Sequence, residues 1–346
     1  MKRFLICLIL ILCFIQPAYA MEFSPPPAPD AAQEYIPEDT GNFGAGLWHL
    51  IQKAIGVVRP DIREALQICG GLLASVLLIS IVQTASEGIK RTACLAGTAA
   101  VGAALMLSVN SMIMLGKDTV EQMCEYGKLL IPVMASALAA QGGTATSAAL
   151  YSGTAAVIAL ISGLIGKLLV PMVYLFLGLA AANSVTGENL LKRMKDLVKW
   201  CISWSLKTVL TLFTTYMGLT GVISGTADAA AVKAAKAAIS TAVPVVGNVL
   251  SGVTETVLVS AGMMKNAAGI YGILAVLAIA IEPFLRIGVQ YAMLKITAAL
   301  GSIFGVKEMT DFIGDFCDAM GLLLAMTGGV CLLMLISTVC FLKGVG

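Results

Sequence analysis

The sequence predicts an all-α fold: a polytopic membrane helical bundle with seven to nine transmembrane helices and additional interfacial amphipathic helices. Apolar residues make up 58% of the 346 residues and charged residues only 12%, whereas soluble proteins carry about 25% charged residues. The mean hydropathy is +0.92. Uncharged stretches of 20 residues or more recur along the chain, and each is long enough to cross a bilayer. So few charges cannot cover a surface that faces water, so lipid is the expected solvent.

Residues 1–20 have the three parts of a secretory signal peptide. Lys2 and Arg3 form a basic start, residues 4–15 form an apolar run, and residues 18–20 form a small-residue cleavage site. An uncleaved first helix is the alternative. Cleavage removes two of the 22 basic residues and leaves 20 of each charge. The mature chain is therefore not expected to offer a basic surface to nucleic acid.

Residues 21–46 form a proline-rich acidic leader. Five prolines stand among acidic residues there, a composition that favours extended, solvated chain. Because the signal peptide delivers this end across the membrane, we predict a flexible extracytoplasmic leader. A docking tail is the alternative.

The membrane spans are predicted from the spacing of charges, because an ionised side chain in mid-bilayer costs at least ~2.5 kcal/mol. We assign residues 47–225 to an N-terminal membrane bundle and residues 270–346 to C-terminal membrane helices. Residues 129–166 are interrupted at residues 141–144, which predicts two short helices or one helix with a re-entrant half. Two further spans are expected after Lys265. The clearest spans are five uncharged stretches: residues 65–86, 92–116, 168–187, 208–227 and 319–342.

The signal peptide and the basic residues together predict the orientation. Lys90-Arg91 and the lysine-rich segment 192–207 fall inside, and the acidic segments 118–125 and 308–318 are expected to form outside loops. Residues 189–205 place apolar and basic side chains on opposite helical faces. We therefore predict an amphipathic helix on the inner surface there.

No catalytic, cofactor-binding or metal-ligating residue is predicted. The chain has one histidine, His49, and its cysteines show no C-x-x-C spacing. Catalysis and metal binding need clusters of such groups. We therefore expect a protein without enzymatic activity and without a cofactor.

Glycine pairs are candidates for close helix packing. Gly221 with Gly225, and Gly301 with Gly305, form G-x-x-x-G pairs. In lipid, small residues at this spacing allow helix backbones to approach. The pairs favour helix-on-helix assembly, within one chain or between chains.

Three charges lie in the C-terminal apolar region. Glu282 and Arg286 are four residues apart, so they can pair on one helical face, and Lys295 follows them. Intramembrane charges often mark a transport route or gate. The alternative is an ion pair at the inner interface, with Lys295 extending toward water.

The segment from Lys233 to Gly269 carries a dense motif. It contains a lysine-spaced helix, then S-x-x-x-P-V-V-G, a Leu-Ser pair, an acidic-Thr-Val triplet and K-N-x-x-G. This segment resembles the signature region of the stage III sporulation protein AE family, although Gly252 stands where an acidic residue is common in that family. The matching residues are Lys233, Lys236, Ser240, Pro244, Val245, Val246, Gly247, Leu250, Ser251, Glu255, Thr256, Val257, Lys265, Asn266 and Gly269.

Pro244 and Gly247 interrupt the helical pattern within residues 226–269. Non-helical backbone at membrane depth is tolerated only where it is buried in protein or lines a cavity. The segment is therefore predicted to be a re-entrant element or an outer-face loop that caps the bundle. A helix-turn-helix at the surface is the alternative.

The resemblance implies a role in endospore formation. Members of the family are expected to act in the mother-cell membrane around the forespore, in a channel-like assembly between the two cells. The implied partners are the other stage III A membrane proteins, including a cytoplasmic ATPase and ring-forming proteins of the intermembrane space, together with the lipid bilayer. The protein would then be a base or conduit subunit without catalytic residues.

The competing hypothesis is an autonomous carrier for a small solute or lipid. Its binding site would be the break from Pro244 to Gly247, together with Glu282. The small number of buried polar groups expected from the sequence favours the assembly subunit.

Overall fold

The computed structural model describes residues 25–36, 43–83, 87–242 and 247–343, with residues 31, 83, 87–91, 93, 94 and 221–265 described by their backbone alone. Every regular element in these ranges is helical, which confirms the all-α prediction. The elements are α1 (Asp30–Gln33), α2 (Phe43–Gln83), α3 (Glu87–Ala140), α4 (Thr144–Leu164), a π-helical turn (Ile165–Leu169), α5 (Val170–Thr186), α6 (Asn189–Ala242), α7 (Gly247–Ser302) and α8 (Lys307–Lys343).

Helices α7 and α8 form an antiparallel pair at the centre of the bundle. At one end, a Cβ on Gly301 of α7 would lie 2.8 Å from Cγ2 of Thr310 of α8. Toward the other end, a Cβ on Gly269 would lie 2.8 Å from Cγ of Leu342. Residues 303–306 connect the two helices, so the pair is a long hairpin.

Helix α2 runs parallel to α7. Asp61 Oδ2 lies 3.2 Å from Arg286 Nε, and further along Ser80 Oγ donates a hydrogen bond to the carbonyl oxygen of Phe304 at 2.9 Å. Helices α3 and α8 also pack along α7. The C-terminal ends of α2 and α7 therefore lie at the same end of the bundle.

The helices are longer than a bilayer is thick. Helices α2, α3, α6, α7 and α8 contain 41, 54, 54, 56 and 37 residues. At 1.5 Å per residue they are ~55–85 Å long, whereas the hydrocarbon core of a bilayer is ~30 Å thick. A helix of this length that crosses upright must extend beyond the hydrocarbon core.

Five helical stretches in the described part of the chain are long and apolar enough to cross a membrane, which indicates a membrane protein. They are Phe43–Val82, Leu95–Ala140, Thr144–Thr186, Asn266–Ser302 and Lys307–Lys343. The stretch Thr144–Thr186 joins segments that were expected to be separate spans. The predicted span 208–227 reaches into residues described by backbone alone, so that span stays a prediction.

Two acidic segments that were expected to be loops are helical. Residues 118–125 lie inside α3, and residues 308–318 lie inside α8. In α3, Lys117 and Glu121 stand one turn apart with Nζ and Oε1 at 3.4 Å, a spacing that suits a helix. The break at residues 141–144 is confirmed as a tight turn, in which Gly142 has a φ of 93°.

The leader packs against the bundle over residues 25–36, which corrects the prediction of a flexible leader for that part. Ala28, Ala32 and Tyr35 are buried. The backbone N–H of Ala28 donates to the Tyr271 hydroxyl of α7 at 3.3 Å. Small side chains and one inserted aromatic ring let this segment lie along α7.

The predicted glycine pair at residues 301 and 305 does not act as a pair. Gly301 is closely packed against Thr310, but Gly305 lies beyond the end of α7. Gly305 has a φ of 79°, which favours glycine in the turn before α8, and a Cβ there would meet nothing within 4 Å. Gly221 and Gly225 lie where only the backbone is described, so their packing stays a prediction.

Gly153 makes a close contact that the sequence pattern did not single out. A Cβ on Gly153 of α4 would overlap the Tyr216 ring of α6, with Cδ1 and Cζ at 2.8 Å. The Tyr216 hydroxyl donates to the carbonyl oxygen of Ala149 at 3.0 Å, which holds the ring in place. The absent side chain of Gly153 therefore sets the distance between α4 and α6.

We expect Gly153→Ala to destabilise the protein by ~1–3 kcal/mol, because a rigid ring must move to admit the methyl group. Gly163→Ala is the matched control on the same helix, since a Cβ there meets nothing within 4 Å. The control is expected to be neutral or stabilising by up to ~1 kcal/mol. Unfolding of the purified protein in micelles measures both. Equal stability of the two variants would contradict this packing.

Candidate functional site

Helix α6 exposes several large apolar side chains over residues 189–206. Leu190, Leu197 and Trp200 are 65%, 59% and 58% exposed, whereas Ile202 and Leu206 are buried against the bundle. Lys195, on the opposite side, is 8% exposed. A helix on the surface of a soluble protein turns its apolar stripe toward the core, so the exposed apolar face of this stretch suits surroundings of low polarity.

Lys195 is buried because it forms an ion pair with Asp315 of α8. Lys195 Nζ donates to Asp315 Oδ1 at 2.6 Å and to Oδ2 at 2.8 Å. Only 9% and 10% of the two side chains are exposed. Loss of one partner from such a pair leaves an uncompensated buried charge, which typically costs ~3–5 kcal/mol.

A second pair lies one helical turn further along both helices. Lys199 Nζ donates to Asp318 Oδ2 at 2.6 Å, with about 40% of each side chain exposed. Exposed pairs contribute little to stability. The pair of Lys199 and Asp318 nevertheless extends the contact between the basic side of α6 and the acidic side of α8.

These pairs border a polar cleft of about 570 Å³. The cleft lies where α5 and α7 end and where α6 and α8 begin, and we call this end of the bundle the cleft end. Three lysines and three aspartates line it, so the lining charges balance. The lining residues are Asn183, Lys192, Lys195, Lys295, Ala298, Ala299, Ser302, Thr310, Asp311, Gly314, Asp315 and Asp318.

The cleft corrects the predicted orientation. Segment 192–207 was expected on the inner side of the membrane and segment 308–318 on the outer side. Lys195 and Asp315 are in contact, so both segments lie at the same depth. One of the two assignments is therefore wrong.

Glu282 and Arg286 form the pair that their spacing predicts. Arg286 Nη2 lies 2.8 Å from Glu282 Oε1. Arg286 Nε also lies 3.2 Å from Asp61 Oδ2, and the Tyr35 hydroxyl donates to Glu282 Oε2 at 2.6 Å. The resulting cluster of Tyr35, Asp61, Glu282 and Arg286, here called the leader clamp, ties the leader and α2 to α7.

The leader clamp changes the acidity of Tyr35. Burial raises the pKa of the Tyr35 hydroxyl, and the hydrogen bond to the Glu282 carboxylate raises it further. The hydroxyl therefore stays protonated and remains a donor. Beside the clamp, a cavity of about 450 Å³ is lined by Asp61, Glu64, Arg286 and Gln290, among others.

Lys295 lies apart from the pair with which it was predicted. It lines the cleft, whereas Glu282 belongs to the leader clamp and Arg286 to the clamp and its cavity. Nine residues separate Lys295 from Arg286, which is ~14 Å along a helix. The three charges therefore serve two separate polar sites.

The signature residues fall largely outside the described residues. Pro244, Val245 and Val246 lie there entirely, and the side chains from Lys233 to Lys265 are likewise not described. Asn266 is the first residue of α7 whose side chain is described, and it is exposed. Gly269 packs against Leu342 of α8. The re-entrant prediction for this segment stays a prediction.

Among the residues that the structure describes, no group of three or more histidine, cysteine, aspartate or glutamate side chains is arranged to hold a metal ion. His49 Nδ1 lies 3.2 Å from the carbonyl oxygen of Tyr35. That contact belongs to the packing of the leader.

Lys195 and Asp315 were not among the predicted site residues, although the sequence contains a signal for them. Lys192, Lys195 and Lys199 recur at helical spacing on α6, and Asp311, Asp315 and Asp318 do so on α8. Two complementary charged helical faces predict a contact, but only if both helices are known to lie at the same depth.

Comparison with known proteins assigns the chain to a family. The family model described as "Stage III sporulation protein AE" matches residues 32–344. The chain belongs to the stage III sporulation protein AE family. The match confirms the resemblance seen in the signature segment and extends it over nearly the whole chain.

A curated member of the stage III sporulation protein AE family is similar to part of the chain. The protein named Stage III sporulation protein AE from Bacillus subtilis (strain 168) is 25% identical over 200 residues. The alignment covers 57% of this chain and 50% of that relative, so the chain spans about half the length of the curated relative it matches. No solved structure matches the chain.

We expect Asp315→Asn to lower the free energy of unfolding by ~3 kcal/mol, because the buried Lys195 ammonium loses its counter-charge. Asp311→Asn is the matched control on the same helix and should change stability by less than ~0.5 kcal/mol, since Asp311 is exposed. Unfolding in micelles measures both. Restored stability in the swap of Lys195→Asp with Asp315→Lys would identify the pair itself as the cause. Equal effects of Asp315→Asn and Asp311→Asn would contradict it.

We expect Tyr35→Phe to loosen the leader, because the hydrogen bond to the Glu282 carboxylate is lost; bonds to charged groups are worth ~1.5–3 kcal/mol. Hydrogen–deuterium exchange of residues 28–36 should become faster than in the unaltered protein. Tyr151→Phe is the control, since Tyr151 is exposed and lies on α4, outside the leader clamp. Unchanged exchange in Tyr35→Phe would show that the clamp does not hold the leader.

Proposed function

We propose that the protein is a non-enzymatic membrane subunit of the channel or secretion-like complex that connects the mother cell with the forespore during endospore development. The observation that carries the proposal is the family match over residues 32–344. The curated relative, which is named as a stage III sporulation protein, supports it.

The membrane character of the chain supports a role as a base or conduit subunit. Five helical stretches are apolar and long enough to cross a bilayer, and several helices are about twice as long as the hydrocarbon core is thick. A subunit of this kind has surface both within the bilayer and beyond it. Beyond the bilayer it can contact the proposed partners, namely a cytoplasmic ATPase and ring-forming proteins of the intermembrane space.

In the proposed arrangement the mature N-terminus is extracytoplasmic and the cleft end faces the cytoplasm. The signal peptide pattern and the lysine-rich segment 192–199 support this orientation. The number of spans, predicted as seven to nine, belongs to the same proposal. Labelling of single introduced cysteines at residue 141 and at the exposed position of Arg193 with a membrane-impermeant reagent distinguishes the two ends.

Deletion of the gene from its spore-forming host is expected to stop forespore development after engulfment and to abolish late gene expression in the forespore. A copy of the full-length gene should restore both, and so should the control variant Gly163→Ala. The measurements are counts of heat-resistant spores and a fluorescent reporter of late forespore genes. Normal sporulation in the deletion strain would refute the proposal.

The second candidate function is an autonomous carrier for a small solute or lipid. The cleft of about 570 Å³ with charged walls favours it, because polar cavities between helices are common binding sites. Saturable uptake by liposomes that contain this protein alone would establish the carrier. Co-purification with the other stage III A proteins, without such uptake, would favour the assembly subunit.

A further inference from the structure

The cleft contains charges that have no partner within it. The side chains of Lys192, Lys295 and Asp311 form no ion pair with any residue in the described ranges, whereas Lys195 is paired with Asp315. Two cations and one anion are therefore available to a ligand. A cleft of about 570 Å³ is in the size range of small-molecule sites.

The surroundings of the cleft are apolar. On α6, Leu190 and Leu197 are exposed on the side of the helix opposite the lysines that line the cleft. On α7, Ile296 and Leu300 are exposed, and Ile303, in the connection just after the helix, is 75% exposed. Exposed aliphatic side chains in such density are typical of a surface covered by lipid. The cleft therefore opens toward a bilayer.

The level of the cleft along the bundle matches the headgroup region. It lies within the terminal turns of four helices, close to the short connections at residues 187–188 and 303–306. Trp200 and Trp204 are stacked on α6 with ring centroids 6.0 Å apart, and both are exposed. Tryptophan is enriched at the interface between hydrocarbon and water.

We propose that the cleft binds the headgroup of a phospholipid that carries both a phosphodiester and a primary ammonium. Lys192 and Lys295 are the partners of the phosphate, and the Asp311 carboxylate is the partner of the ammonium. The acyl chains lie along the exposed aliphatic side chains of α7 next to the cleft. This inference does not depend on the role in sporulation.

The balance of charge in the lining decides between headgroups. An anionic lipid would satisfy the two lysines but would leave the Asp311 carboxylate near a second negative charge. A quaternary ammonium cannot donate a hydrogen bond to a carboxylate, whereas a primary ammonium offers three donors. The lining therefore favours phosphatidylethanolamine over phosphatidylglycerol and phosphatidylcholine.

Thermal unfolding of the full-length chain in mild detergent tests the proposal. Added phosphatidylethanolamine at saturating concentration is expected to raise Tm by roughly 5 °C. Phosphatidylglycerol and phosphatidylcholine with the same acyl chains should raise it by less than half as much. Equal shifts with all three lipids, or no shift with any of them, would overturn the proposal.

Variants of the unpaired residues test the site. Lys295→Gln, Lys192→Gln and Asp311→Asn should each reduce the Tm shift caused by phosphatidylethanolamine at least twofold. Lys167→Gln is the matched control, since Lys167 is exposed and lies outside the cleft. None of these residues belongs to the buried ion pair, so the variants are expected to fold. A shift that is the same in all four variants would place the lipid elsewhere and overturn the assignment.

The soluble headgroup distinguishes a lipid from a soluble ligand. Glycerophosphoethanolamine carries the same phosphodiester and ammonium without acyl chains. We expect it to raise Tm much less than the lipid does, because it gains nothing from the aliphatic side chains of α7. An equal shift would show that the cleft binds a soluble compound and would overturn the lipid assignment.

Discussion

The buried ion pair between Lys195 and Asp315 is the interaction on which the arrangement of the bundle depends. A charge in an apolar interior is tolerated only with a partner of opposite sign and suitable geometry. The bidentate contact, at 2.6 and 2.8 Å, supplies both. It turns the basic side of α6 toward α8, and as a consequence the apolar side of α6, with its two tryptophans, faces outward.

The same pair fixes the depth of two helices relative to each other. Helices α6 and α8 must both begin at the cleft end, because Lys195 and Asp315 each lie within three turns of the start of their helix. Helices α5 and α7 end there and contribute Asn183 and Lys295 to the same cleft. The cleft therefore forms because the ends of α5, α6, α7 and α8 lie at the same level. This alignment brings together the lysines and aspartates that line it.

The leader clamp plays a comparable part further along α7. Arg286 bridges Glu282 on its own helix and Asp61 on α2, and Tyr35 joins the same carboxylate from the leader. Charges near the middle of long helices would be costly in hydrocarbon, and here each has a close partner. For a member of the stage III sporulation protein AE family, this means that the leader belongs to the folded body over residues 25–36 and is not a free linker there.

The sequence by itself determined the helical class, the membrane character, the turn at residues 141–144, the Glu282–Arg286 pair and the family resemblance. Each of these follows from local features: hydropathy over about 20 residues, charges one helical turn apart, glycines at a break, or a short motif. Only the tertiary structure decided that residues 192–199 and 311–318 meet, that the leader packs on α7, and that Gly305 serves a turn. The acidic segments 118–125 and 308–318 resembled loops because charge ends an apolar run, although a helix can continue through charges that are paired or face a cleft. Contacts between residues more than 100 positions apart depend on helix register and depth, and neither is encoded in the spacing of any one segment.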